Sequence, residues 1–254
     1  MNEITQEYNR AADQKRLQFI TDAVSSRFAP GASILDVGCG NGVISRHLGG
    51  KGFQVLGIDV SPQSIARANE LNQNANTRFE VKSAEELVAS GALFDVVICS
   101  EVLEHLQDPD ALLRVLYQSL KDDGILVVTV PNGNGPRELL VTRPVLAMRE
   151  SNGWAWKLIV KLKKSMGYSG TTVQSAADNL DHVQFFSRND LQRMSAGNRF
   201  RIVRFGKANF LEDVFPFSFI TKKLPALQRL DCKIADLLPA GMTGGFFTVW
   251  EKHK

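Results

Sequence analysis

The sequence predicts a doubly wound α/β fold, a mostly parallel sheet of seven strands with helices on both faces. Three observations predict it. Residues 34–42 read ILDVGCGNG, an apolar strand running into a glycine turn that opens a helix. Residues 55–59, VLGID, form a second apolar run ending on a carboxylate, and the separation of Gly38 from Asp59 suits one strand–helix–strand unit. The runs DVVIC (95–99) and ILVVTV (125–130) are apolar without alternation, as strands are when helices cover both faces.

The elements follow in order. A leading helix is expected over 3–28, with Leu17, Ile20 and Val24 at helical spacing and Pro30-Gly31 closing it. Strands are expected at 33–37, 54–58, 77–81, 94–99 and 125–130. The helices between them start at Val43, Pro62, Ala84 and Pro109, and Ser61 before Pro62 reads as an N-cap. After Val130 the alternation breaks. A first insertion spans 131–187, then come a helix over 189–196, a strand over 200–205, a second insertion over 206–244 and a last strand over 245–250. Insertions of this length rarely stay structureless in a compact domain. Both are read as lid and substrate elements of a single domain, 1–254. Within the second, Leu227, Leu230, Ile234 and Leu237 sit at helical spacing, a stripe expected to pack beneath the apolar segment 210–220.

Composition narrows the class. Hydrophobic residues make up 44% and charged residues 22% of 254, the balance of an ordinary globular protein. Three cysteines, Cys39, Cys99 and Cys232, without a C-x-x-C pair argue against a disulfide framework and a zinc site, so no metal is expected. No apolar signal core opens the chain, and no uncharged apolar window reaches about 18 residues. A cytoplasmic protein is the expectation. The net charge is only +3, yet seven basic residues against two acids crowd into 137–164. Inside that stretch, 152–168 carries Leu158, Leu162 and Met166 on one stripe and Lys157, Lys161 and Lys164 on another, an interfacial pattern that also suits a lid helix or attraction of an anionic substrate. Peripheral membrane contact through 152–168 is therefore an open expectation. A nucleic-acid partner is not expected, because the basic stretch is short and no distributed positive face accompanies it.

The glycine turn and Asp59 together suit an adenosine-containing ligand. Gly38, Gly40 and Gly42 allow a tight turn and a close backbone approach, and a carboxylate at a strand tip can bind a ribose diol. A dinucleotide site wants its third glycine one residue later, with a pyrophosphate over the helix N-terminus. Here Asp36 stands just before the loop, where it would repel phosphate and attract an ammonium group. S-adenosylmethionine, which carries an amine and a sulfonium and no phosphate, fits better than a nicotinamide cofactor.

Four segments then carry a resemblance. ILDVGCGNGVISRHL (34–48), VLGIDVSPQSIARAN (55–69), FDVVICSEVLEHL (94–106) and LKDDGILVVTVPN (120–132) resemble the successive motifs of class I S-adenosylmethionine-dependent methyltransferases, nearest the branch of ubiquinone-biosynthesis O-methyltransferases. The resemblance covers 33–132, with a weaker echo at HVQFFSRNDL (182–191). It implies that Asp36, Gly38, Cys39, Gly40 and Gly42 place the methionine part of the cofactor, that Asp59 binds the ribose, and that Val60 lies against the adenine edge. Where the family usually has an aspartate that recognises the adenine amino group after the third strand, this chain has Ser83, leaving the amide of Ala84 beside it to meet the adenine edge. Ser100 would lie near the cofactor's amine or carboxylate; Ser83 and Ser100 also read as plain loop residues.

Methyl transfer to a hydroxyl needs alignment and removal of a proton. SEVLEHL supplies Glu101, Glu104 and His105 right after the fourth strand. An imidazole titrates near working pH, which makes His105 the expected base with Glu104 beside it; the alternative is that His105 packs and hydrogen-bonds its loop. Asn132 and His182 are expected to frame the acceptor, although His182 reads more readily as a capping or buried polar residue. The expected activity is methyl transfer to an oxygen of a small-molecule or lipid-linked acceptor, a sugar or a phenol. Rival readings are an N- or C-methyltransferase, a nicotinamide-dependent oxidoreductase and a non-catalytic module that senses the methyl donor. Acceptor identity and oligomeric state carry no sequence signal.

Overall fold

The computed structural model describes residues 7–88, 91–142, 183–212, 214, 217–221 and 224–253. Seven strands form one sheet: β1 (Ser33–Val37), β2 (Gln54–Asp59), β3 (Thr77–Val81), β4 (Phe94–Ser100), β5 (Leu120–Pro131), β6 (Phe200–Lys207) and β7 (Gly245–Lys252). Their order is β3-β2-β1-β4-β5-β7-β6. Pairing is parallel from β3 through β5, and β7 runs antiparallel to both β5 and β6. The expected mostly parallel, doubly wound sheet is what the chain forms.

Both faces are covered, and the strands read accordingly. Helices α1 (Ala11–Ser25) and α2 (Val43–Gly49) pack on one face through Ile20, Val24, Ile44 and Leu48, against Ile34, Val55, Val96, Ile98 and Val127. On the other face, α4 (Ala84–Val88), α5 (Pro109–Ser119) and α6 (Arg188–Gly197) bring Leu87, Leu112, Leu116 and Leu191 against Leu35, Val37, Val97, Leu126 and Val128. Neighbouring positions of one strand therefore serve opposite layers, and neither can be polar without cost. Helix α3 (Pro62–Leu71) starts as expected, Ser61 Oγ accepting the Ser64 N–H with Pro62 in the first turn. It closes a small third cluster of Ile65, Ala68 and Phe79.

Two boundaries differ clearly from the sequence reading, and one helix stripe faces the other way. The leading helix starts at Ala11, because Arg10 is extended and Tyr8 is folded into the core. Gln228 Oε1 then accepts the Ala11 N–H at 3.0 Å, doing the work of a cap from 217 residues away. β5 starts at Leu120, five residues before the expected 125, since the polar Lys121, Asp122 and Asp123 continue the strand with exposed side chains. The second insertion holds α7 (Phe217–Thr221) and α8 (Pro225–Leu237). The apolar stripe of α8 does not pack: Leu227, Leu230, Ile234 and Leu237 are exposed, and the buried face carries Gln228, Asp231, Cys232 and Ala235 instead. Segment 152–168 is outside the described residues.

Helix α6 begins with a reciprocal cap in which Ser187 Oγ accepts the Asp190 N–H and the Asp190 carboxylate accepts the Ser187 N–H. Ser187→Ala removes one half of that pair. It should cost about 1 kcal/mol of unfolding free energy in urea titration, with the denaturant slope unchanged.

Candidate active site

β1 and β4 are neighbours, and the chain winds outward from them in both directions, so the crevice at their carboxyl ends is where such a sheet leaves room for a ligand. A cavity of about 670 Å³ lies there. Asp36, Gly38, Cys39, Gly40, Asp59, Val60, Ser83, Ala84, Ser100, Glu104 and His105 all line it. A smaller hollow of about 360 Å³, lined by Arg27, Asp122, Arg201 and Glu251 among others, sits at the amino end of β5, away from these groups.

The glycine turn is built around its backbone. Gly38 has φ +66°, and a Cβ there would stand 2.5 Å from Val102 Cγ2; Gly42 has φ +75°, and its Cβ would meet the Phe79 ring at 2.5 Å. Gly42 thus shapes the turn as the N-cap of α2 without lining the cavity. The turn is tied to the end of β2: the Cys39 N–H donates to Ile58 O at 3.0 Å, and the Gly40 N–H to Asp59 Oδ2 at 2.9 Å. The other oxygen of Asp59 accepts the Ser61 N–H at 2.8 Å. A carboxylate oxygen can take two hydrogen bonds, so Asp59 keeps acceptor capacity toward the cavity.

Asp36 is only 1% exposed and accepts a 2.6 Å hydrogen bond from Ser45 Oγ on α2. Burial pushes its carboxyl up to about 7; the Ser45 bond works against that rise and the nearby Asp59 adds to it. The Cys39 thiol is raised by burial and then by Asp36 and Asp59, so it stays protonated and is no nucleophile.

The β4 tip carries a second polar group. Ser100 Oγ and Thr129 Oγ1 are 2.8 Å apart, and Thr129 Oγ1 donates to Glu101 Oε1 at 2.9 Å. Glu101 has φ +58°, uncommon outside glycine, and Arg16 of α1 reaches its carboxylate at 3.5 Å. Burial opposes the charge on Arg16, yet Glu101, Tyr8 and Asp13 facing it hold the guanidinium above its ordinary value. A single 3-10 turn, Leu103–His105, follows. Glu104 is 1% exposed, and its backbone carbonyl accepts the N–H groups of Val183 and Gln184. Its Oε2 has no hydrogen-bond partner among the described residues. Burial, then the nearby Glu101, raises the Glu104 carboxyl well above the usual carboxylate range. His105 Nε2 lies 3.9 Å from Glu104 Oε1.

One expected acceptor contact falls elsewhere. Asn132 is buried away from the cavity lining, and its amide donates to Thr243 O at 2.7 Å and to the carbonyls of Ala240 and Gly241, while its oxygen accepts the Asn134 N–H. That side chain fastens the turn before β7 to the end of β5. His182 is outside the described residues. Conversely, Tyr8, Arg10, Val102, Leu106 and Arg137 line the cavity without having been singled out. Tyr8 and Arg10 arrive only because α1 docks on the sheet, which no local pattern announces. Arg137 opens the basic stretch already visible in the sequence.

A glycine cradle with no room for a Cβ and two aspartates, one still able to accept hydrogen bonds, fits an adenosyl ligand that carries an ammonium and no phosphate. Comparisons with known proteins agree on the class. A family model described as a methyltransferase domain matches residues 6–204. The chain belongs to that family and is a class I methyltransferase dependent on S-adenosylmethionine. A ubiquinone biosynthesis O-methyltransferase of Xanthomonas campestris pv. campestris (strain B100) is 40% identical over 115 residues, 44% of this chain and 48% of that protein. The chain thus spans about half the length of the curated relatives it matches. Magnesium protoporphyrin IX methyltransferase of Synechocystis PCC 6803, solved with S-adenosylhomocysteine bound, superposes with a TM-score of 0.55 at 17% identity, over 100% of this chain and 89% of its own. The 1,6-didemethyltoxoflavin-N1-methyltransferase of Burkholderia thailandensis gives 0.56 at 15% identity, over 97% and 80%. At such identities the structural likeness is one of fold.

Asp59→Asn keeps one acceptor oxygen, loses the charge and turns an amide toward a backbone N–H. A hydrogen bond to a charged group is worth about 1.5–3 kcal/mol. Calorimetry should therefore find S-adenosylhomocysteine bound at least about tenfold more weakly.

Proposed function

We propose that this chain moves a methyl group from S-adenosylmethionine to an oxygen of a small-molecule or lipid-linked acceptor. The observation that carries the reading is that Asp36, Asp59 and His105 share one cavity at the carboxyl ends of β1 and β4. Bound there, S-adenosylmethionine supplies a methyl group already activated for displacement by the sulfonium. Asp59 would hold the ribose hydroxyls, Asp36 the ammonium, and Ser83 with the Ala84 amide the adenine edge, with Ser100 near the amino-acid end. His105, in the same cavity, would take the proton that an acceptor hydroxyl must lose. Transfer to oxygen is supported by the O-methyltransferase relatives over the matched 115 residues.

The test supplies S-adenosylmethionine carrying an isotopic methyl group with panels of phenols, sugar hydroxyls and amines. Label on an ether oxygen, together with binding of S-adenosylhomocysteine and none of NADH, is the expected result. Transfer to amine nitrogen alone overturns the oxygen assignment. Tight binding with no transfer to any acceptor supports a module that senses the methyl donor.

A further inference from the structure

Nine of the seventeen large apolar side chains exposed among the described residues fall within 217–242, about a tenth of the chain. They include Phe217 and Ile220 on α7 and the α8 stripe of Leu227, Leu230, Ile234 and Leu237. Helix α8 is not loosely placed. Gln228 bonds the Ala11 N–H and the Thr221 carbonyl, and Asp231 accepts the backbone N–H groups of Phe210, Leu211 and Glu212. Rotating the helix to bury its stripe would break every one of those bonds and strand a carboxylate. The polar face is therefore fixed inward and the apolar face outward.

The outward charges left without an ion-pair partner among the described residues have one sign. Asp231 is consumed by the backbone, and Asp236 pairs with Lys15 at 2.7 Å. Arg229 and Lys233 are exposed along the flank of the stripe and make no ion pair among the described residues. A face that pairs with its own copy must be complementary to itself, and one whose unpaired charges are all cationic is not. An anionic lipid surface satisfies both halves of the pattern, taking up the apolar side chains while long basic side chains keep their charges at the phosphates. No helix among the described residues is long and apolar enough to cross a membrane, so attachment would be peripheral. We infer that the outer face of α7 and α8 docks this protein on an anionic bilayer, Leu227, Leu230, Ile234 and Leu237 entering the interface and Arg229 and Lys233 reading the headgroups. The inference stands apart from the methyl-transfer assignment.

Vesicles of phosphatidylcholine, alone or mixed with phosphatidylglycerol, are floated with the full chain and with three variants. The wild type should partition at least about tenfold more strongly onto the mixed vesicles. Leu230→Glu with Ile234→Glu should abolish flotation, and Arg229→Gln with Lys233→Gln should weaken it about tenfold. All should bind S-adenosylhomocysteine as the wild type does, showing an intact fold. The inference is overturned if the wild type floats with neither vesicle, or if both α8 variants float as the wild type does. It is equally overturned if the wild type is a dimer in solution that Ile234→Glu dissociates. The third variant neutralises Lys157, Lys161, Lys163 and Lys164; if it alone loses binding, the contact belongs to 152–168 and not to α8.

Discussion

Replacing His105 with alanine is expected to slow methyl transfer by about 10²–10⁴-fold while leaving S-adenosylhomocysteine affinity unchanged. The imidazole stands at the end of a single 3-10 turn, in the cavity but outside the glycine turn and the β2 tip that would hold the cofactor. The turn itself is secured by the backbone of Glu104, whose carbonyl takes the Val183 and Gln184 N–H groups, and by the buried Leu103. Neither anchor needs the imidazole, so the variant should unfold at nearly the wild-type temperature. Single-turnover rates with preloaded S-adenosylmethionine, read against pH, distinguish a proton acceptor from a packing residue. A packing role predicts a shift in melting temperature and a pH profile of unchanged shape; a proton acceptor predicts lost rate and a lost acidic limb. An unchanged rate would remove His105 from the chemistry.

Glu104 calls for a different substitution. Its carboxyl is held well above the usual range by burial and by Glu101, and one oxygen lacks a partner. Glutamine is neutral at every pH and nearly isosteric. Glu104→Gln should therefore leave stability near pH 7 unchanged or raised, and any loss of rate beyond that would report a proton carried by this carboxyl rather than its shape.

The parts of this fold legible in the sequence are those where one local cause decides. The glycine turn must avoid Cβ contacts with Val102 and Phe79, and only glycine does so, which is why residues 38–42 announce themselves. Strands β1, β4 and β5 are apolar on both faces because two helical layers use them. What escaped depends on contacts between distant segments. Asn132 looks like a loop residue at a strand tip, and only the fold reveals the three carbonyls of 240–243 that consume its amide. The α8 stripe had the spacing of a buried face. Asp231 and Gln228, carrying five hydrogen bonds between them, outweighed it and turned it outward. Hydrophobic periodicity locates an amphipathic helix; which face meets the protein is settled by the partners its polar residues find.

Competition between stability and ligand binding makes Asp36 a point of the molecule sensitive to pH. Its carboxyl sits at about 7 in the folded protein against 3.8 ordinarily. Between those values the folded chain holds a proton that the unfolded chain has released, so stability falls as pH rises through the window and is level on either side. At about 1.4 kcal/mol per pH unit the swing is on the order of 4 kcal/mol, a large fraction of what holds a domain together. A cationic ligand needs the ionised form. Below about pH 7 its binding must expel the proton, and affinity should fall toward tenfold per pH unit, levelling above. Asp36→Asn should flatten this contribution to the pH dependence of the melting temperature, melt above the wild type near pH 8, and bind S-adenosylhomocysteine weakly at every pH. Calorimetry in two buffers of unlike ionisation enthalpy should count protons released near pH 6 and none near pH 8. Equal affinity at both, with no proton released, would show that Asp36 does not meet the ligand's charge.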